Sequence, residues 1–254
     1  MVLGGCGPQA ALDALSPAGG GRAAAAPAGD LLLLEDGTRV RLAGIEAPKG
    51  DEPYAAEARA ALERLAAGRP VELLSGGARQ DAYGRVLAQA RRAPHGSWLQ
   101  AALLDEGAAR VRTYRDNRAM AAEMLEAEAR ARAAGRGLWS LPAYRVRLPE
   151  EVGADARGLV LVEGWVRALE RRGDRVLVRL SPGLAGEIPR TAWDDLAAAG
   201  LGPDALRGRL VRVRGTVRPA AGGLLLRIDH PEQIERLEPR GPQRKRPALG
   251  PGVP

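Results

Sequence analysis

The sequence predicts a mainly β protein with helices, built as two successive folded blocks. Three observations predict it. The chain has 254 residues, and domains usually run to about 100–200 residues, so it holds one large domain or two small ones. Residues 142–156 read PAYRVRLPEEVGADA, with prolines, a glycine and mixed charge but no clear period, which is the composition of a linker. The block before this stretch mixes a hairpin with helical periods, and the block after it is mostly alternating strands.

Taken in order, residues 1–28 are rich in Gly, Ala and Pro and predict a flexible leader. The first block, 29–141, opens with apolar residues 31–34, an Asp36-Gly37 turn and then Val40, Leu42 and Ile45, a hairpin signature. A helix follows with Pro53 near its first turn. Tyr54, Ala58, Ala61, Leu62 and Leu65 share one face, and Gly68 ends it. Strands are expected at 71–74 and 85–91. A second helix opens at Ser97, whose spacing to Gln100 suits a capping box, and runs to Gly107. A third spans 117–134 and stops at Gly135, with Trp139 expected to dock it into the core.

In the second block, 157–238, four sets alternate: Val160, Val162, Gly164 and Val166; Val176, Val178 and Leu180; Val211, Val213, Gly215 and Val217; Leu224, Leu226 and Ile228. A short helix at 191–199 interrupts them. About five strands with one helix between the third and fourth is the order of a smaller OB-like β-barrel. Residues 239–254 hold the cluster Arg244, Lys245 and Arg246 among prolines and glycines, and read as a disordered basic tail.

Composition narrows the function. Hydrophobic residues at 45% and charged ones at 27% belong to a globular chain rather than a disordered one. No run of 18 apolar residues would span a membrane as a helix. A single cysteine, Cys6, excludes an internal disulfide and a cysteine zinc cluster. Aromatics at 3% with no Phe leave the core to Leu, Val, Ile and Ala and weigh against stacking many bases. The net charge of +7 invites a polyanion, but the tail from Pro239 supplies four of those charges. A nucleic-acid reading therefore rests on particular residues.

Those residues lie in RVRLAGIEAPK at 39–49 and DAYGRVLA at 81–88, with Gly29-Asp30 ahead of the hairpin and Gly137-Leu138-Trp139 after the last helix. In this order and spacing, residues 29–140 resemble the staphylococcal-nuclease-like (thermonuclease) family. The resemblance implies an OB-type barrel with three helices and, for active members, calcium-dependent cleavage of phosphodiester bonds in DNA or RNA. It places Arg41 and Arg85 at the two catalytic arginines, Asp30 and Glu46 at the metal-binding carboxylates, and the backbone carbonyl of Ala47 at a third ligand. The chemistry suits those types. A pentavalent phosphate spreads negative charge over its equatorial oxygens, which guanidinium forks match in a bidentate way, and a hard cation such as Ca²⁺ takes oxygen ligands.

Departures from the family pattern divide the functional expectation. Lys49 stands where active members carry the glutamate that acts as general base or positions the attacking water, and a lysine is a cation at neutral pH that cannot accept a proton. Glu46 replaces an aspartate and Leu31 a threonine. Asp51 or Glu52, just past Lys49, is a candidate substitute base. One expectation is a slow calcium-dependent nuclease; the alternative is a catalytically degenerate nucleic-acid-binding protein; a third is a protein-interaction role for the two barrels. Arg212, Arg214 and Arg218 on one strand, with Arg175 and Arg179 on another, make either a basic surface that follows a phosphate backbone or an ordinary charged exterior. His95 and His230 read as loop residues, and Trp165 and Trp193 as base-stacking or core residues. Leu3-Gly-Gly-Cys6 resembles a lipoprotein cleavage box, so the expectation is an exported protein with a possible lipid anchor at Cys6.

Overall fold

Strand pairing begins well before the first expected strand. In a computed structural model, which describes residues 8–238, helix α1 (Pro8–Asp13) leads into a long strand, β1 (Ser16–Ala28). Strands β2 (Leu31–Leu34) and β3 (Arg39–Leu42), a short β4 (Ile45–Glu46) and helix α2 (Ala55–Ala66) follow. Then come β5 (Pro70–Ser75), β6 (Val86–Arg92), α3 (Leu99–Asp105), a short β7 (Arg110–Val111) and α4 (Ala121–Ala133). The five long strands close a barrel in the order β1-β2-β3-β6-β5, with β3 and β6 parallel.

The leader expectation is corrected here: residues 16–28 pair with both β2 and β5 and complete the barrel. Leu12, Ala23 and Ala26 are buried in its core, and Asp13 forms an ion pair with Arg91. The small residues that suggest flexibility instead permit close approach. A Cβ at Gly20 would lie 2.4 Å from the Val71 carbonyl oxygen, so β1 lies against β5 there because no side chain intervenes. Cys6 and the basic tail at 239–254 lie outside the described residues.

The second block holds β8 (Leu159–Trp165), β9 (Ala168–Arg172), β10 (Arg175–Ser181) and β11 (Leu184–Pro189), then α5 (Trp193–Ala198) and α6 (Pro203–Leu206). Strands β12 (Leu210–Ala220), β13 (Gly223–Arg227) and β14 (Ile234–Leu237) complete it. The sheet runs β14-β12-β13-β11-β10-β9, and β8 pairs with β12. Only Val166 and Arg167 separate β8 from β9, and the Arg167 amide donates to the Arg179 carbonyl at 2.8 Å. One bent stretch thus pairs with β10 through β9 and with β12 through β8, which curls the sheet back on itself. Both barrels follow one plan, with a helix after the third strand and the third and fifth strands parallel. Among the described residues, no helix is long and apolar enough to cross a membrane.

Three further expectations change. The linker is packed: the Tyr144 hydroxyl donates to the Pro53 carbonyl at 2.6 Å, while Val152 and Ala156 join the second core. The capping box does not form, because Ser97 accepts from Arg92, and Gln100 is buried between the Ala88 carbonyl and the Ala90 amide. Leu138 rather than Trp139 is the buried plug after α4; Trp139 lies half-buried against Arg132.

The arginine-rich strands are not a free basic face either. Arg212 pairs with Glu163 and Glu235, Arg175 and Arg218 with Glu187, and Arg179 with Glu170. Arg214 is buried and reaches into the first barrel, where both oxygens of Glu128 on α4 accept from its terminal nitrogens at 2.8 and 3.1 Å. Alternation had assigned these side chains to solvent, but glutamates on neighbouring strands and on α4 face them. His230 is likewise no loop residue: it is buried, with one ring nitrogen at 3.1 Å from the Thr113 carbonyl and the other at 3.0 Å from Glu232.

Candidate functional site

The chain folds the motif at 39–49 into a strand, a turn and a second short strand, and this brings its side chains back onto Asp30. β3 carries Arg41 directly across from Leu31 on β2. Backbone carbonyls of Leu42 and Ile45, each 2.8 Å away, fix the guanidinium plane, and the same group lies 3.2 Å from Asp30 Oδ2. Asp30 itself is fully buried. The amide of Ala47 donates to the same Oδ2 at 2.9 Å. Ala47 thus meets Asp30 through its N–H.

Lys49 completes this cluster. Its ammonium lies 3.1 Å from Asp30 Oδ2, and its own amide donates to Glu52 at 2.7 Å. Glu52 therefore holds the Lys49 loop, and Asp51 is exposed to solvent. Glu46 points to the other side, where Oε1 pairs with Arg112 at 2.5 Å. The pairing of β4 with β7, Ile45 with Val111 and Glu46 with Arg110, is what brings Arg112 there.

Arg85 stands on the turn before β6. Asp81 accepts from its Nε at 2.6 Å and from its backbone amide at 3.1 Å, and the guanidinium lies 5.2 Å from the Tyr83 ring centroid. Burial pushes the Asp81 carboxyl up, but the hydrogen bonds from Arg85 and Tyr83 outweigh it and hold the group below its ordinary range. Arg41, Arg85, Arg112, Tyr83 and Tyr114 line one groove of about 330 Å³. The structure thus joins Asp30, Arg41, Ala47 and Lys49 by direct contact, and brings Glu46 and Arg85 to the same region through Arg112 and the groove wall.

Arg112 and Tyr114 have no counterpart in the sequence reading. They follow a two-residue strand whose partner is 66 positions earlier, measured from Val111 to Ile45, and a pairing that short leaves no periodic signal. The aromatic in an arginine-rich stretch, Val111-Arg-Thr-Tyr-Arg115, is the one cue available.

A divalent cation fits these residues poorly. Such an ion takes about 6–8 oxygen ligands, yet among the described residues no group of three or more His, Cys, Asp or Glu side chains is placed to hold one. Asp30 Oδ2 is shared by two cationic side chains and an amide, and Glu46 Oε1 by a third cation. Asp30 Oδ1 and Glu46 Oε2 remain buried without a partner among the described residues. They are two donors in a cluster where Arg41, Lys49, Arg85 and Arg112 already outnumber Asp30, Glu46 and Asp81.

Residues 39–141 match the sequence model of the family described as staphylococcal nuclease homologue, and the match covers the motif strand, all three helices of that block and the Arg85 turn. No curated protein matches the chain.

Proposed function

We propose that this chain, which carries a staphylococcal nuclease homologue domain, binds the phosphodiester backbone of DNA or RNA in the Arg41–Arg85 groove, and that Lys49 restrains hydrolysis there. The observation that carries this reading is the Lys49 ammonium on the buried Asp30 carboxylate. Arg41, held flat by two carbonyls, and Arg85, with only its Nε engaged by a side chain, present fixed positive charge to a phosphate. The carboxylates beside them, Asp30 and Asp81, are held in ion pairs with cations, and the position of the family's general base carries the cation Lys49. Losing a general base costs about 10²–10⁴-fold in rate. Binding is left largely intact, since it depends on the arginines.

A second reading, calcium-dependent cleavage of DNA or RNA, is favoured by the two buried unpartnered oxygens, Asp30 Oδ1 and Glu46 Oε2. It requires Lys49 to leave Asp30. One experiment separates the two: fluorescent oligonucleotides are incubated with the protein and with Lys49→Glu, with calcium or with chelator. The expected outcome is salt-sensitive binding by the natural sequence with little cleavage in either condition, and cleavage at least about 100-fold faster in Lys49→Glu with calcium, within the range above. Rapid calcium-dependent cleavage by the natural sequence establishes the second reading instead, and no binding at low salt removes both.

A further inference from the structure

The groove does not end at the first barrel. Arg112, Tyr114 and Asp116 line it and also line a second cleft, of about 420 Å³, that lies between the barrels. The far wall of this cleft belongs to the second barrel, through Thr191, Thr216, Arg227 and Gln233. From these placements we infer that the cleft between the barrels is a second subsite for a single-stranded nucleic acid, whose first phosphates occupy the Arg41–Arg85 groove.

Two buried polar atoms point to a ligand. Thr113 Oγ1 and Arg214 Nε have no hydrogen-bond partner among the described residues, both side chains are more than nine-tenths buried, and both residues line the cleft. A buried polar atom without a partner costs free energy, so both mark an unmet hydrogen-bonding demand in the wall of the cleft. The two walls are joined by ion pairs, Arg214 with Glu128 and Arg118 with Glu232.

The chemistry of the lining selects the occupant. Tyr114 is 52% exposed at the neck shared by the two cavities, with Arg112 5.6 Å from its ring centroid, so a base face can stack there. Asp116 faces the same neck, which disfavours a phosphate at that point and suits a sugar or base. Further in, Arg115 and Arg227 are half exposed, each paired with a single carboxylate, Asp195 at 3.6 Å and Asp229 at 2.7 Å. Both can turn to a phosphate. An exposed stacking ring between two cationic ends fits a strand with unpaired bases rather than a duplex, whose bases are covered.

This inference rests on the phosphodiester-binding reading, and its test separates the two. Fluorescein-labelled oligothymidylates of about four and about twelve nucleotides, lengths that bracket one and two barrel sites, are titrated into the full chain by anisotropy with chelator present. The longer probe is expected to bind at least about tenfold more tightly, since each stacked base contributes that order of affinity. Thr216→Glu and Arg227→Ala, both at exposed positions, should weaken the longer probe about tenfold and leave the shorter one unchanged, with the salt slope of the longer probe falling by about one in Arg227→Ala. A photo-crosslinking longer probe should label peptides from both barrels, a readout that needs no variant. Equal affinity for the two probes, or crosslinks confined to the first barrel, overturns the second subsite alone; failure of both probes to bind overturns the groove reading and the subsite together.

Discussion

Asp30 occupies its position because of the residue before it. A Cβ at Gly29 would meet the Ala47 and Ala58 side chains at 2.8 Å and the Ala58 backbone at 2.9 Å, so only glycine lets β2 begin flush against α2 and the 43–47 turn. Overpacking a filled site costs about 1–3 kcal/mol. Gly29→Ala is therefore expected to lower stability by that amount in a urea melt, and to weaken oligonucleotide binding, because Asp30 and the Arg41 it faces move with the backbone. Lys49 is the opposite case. Its side chain is 46% exposed and its loop is tied through Glu52, so Lys49→Glu is a change in chemistry rather than in fold. At this scale the sequence was informative where contacts are local: the contacts among Arg41, Asp30 and Lys49 lie within twenty residues of chain. Arg112 was invisible because its partner, Glu46, is brought to it only by tertiary pairing.

Among the elements, β1 most clearly separates composition from structure. Its thirteen residues, SPAGGGRAAAAPA, carry no large side chain apart from Arg22, yet they bridge β2 and β5. Alanine and glycine read as flexible because they contribute little apolar area when considered alone. Inside a narrow barrel the same small size is what fits. A chain beginning at residue 29 is expected to lose barrel closure and, with it, cooperative folding of the first barrel, seen as loss of the far-UV strand signal and of a thermal transition. A stable, fully folded truncation would show that β1 is dispensable. The three helices, by contrast, were legible to within a few residues, since each carries an apolar face at helical spacing and a glycine at its end.

For the whole molecule, the two barrels are joined by buried charge. Burial pushes the Glu128 carboxyl up, but Arg214 and the Val111 amide outweigh it and hold the group below the ordinary range. Removing one partner of a buried pair costs up to about 3–5 kcal/mol, and without Glu128 the buried Arg214 keeps only Glu235, at 2.9 Å. Glu128→Ala is expected to destabilise the protein by that amount in a denaturant melt and to split a single unfolding transition into two, one for each barrel. A single transition with unchanged midpoint would mean that the interface contributes nothing. The net charge of +7 takes on a different meaning at this scale, because the arginines of the second barrel are mostly paired with carboxylates and residues 8–238 carry a surplus of only three.

The sequence by itself determined the elements and the site's vocabulary: the hairpin, three helices, the alternating strands of the second barrel, and the motif residues Asp30, Arg41, Glu46, Lys49 and Arg85. These follow from local periodicity and from short contiguous strings, whose meaning does not depend on distant chain. Only the tertiary structure decided that the Gly/Ala segment is a strand, that Lys49 rests on Asp30, that Arg214 faces inward to Glu128, and that a cleft opens between the barrels. Each of these joins residues that the chain keeps apart, and an alternating pattern assigns a side chain to a face of the sheet without showing what lies across from it.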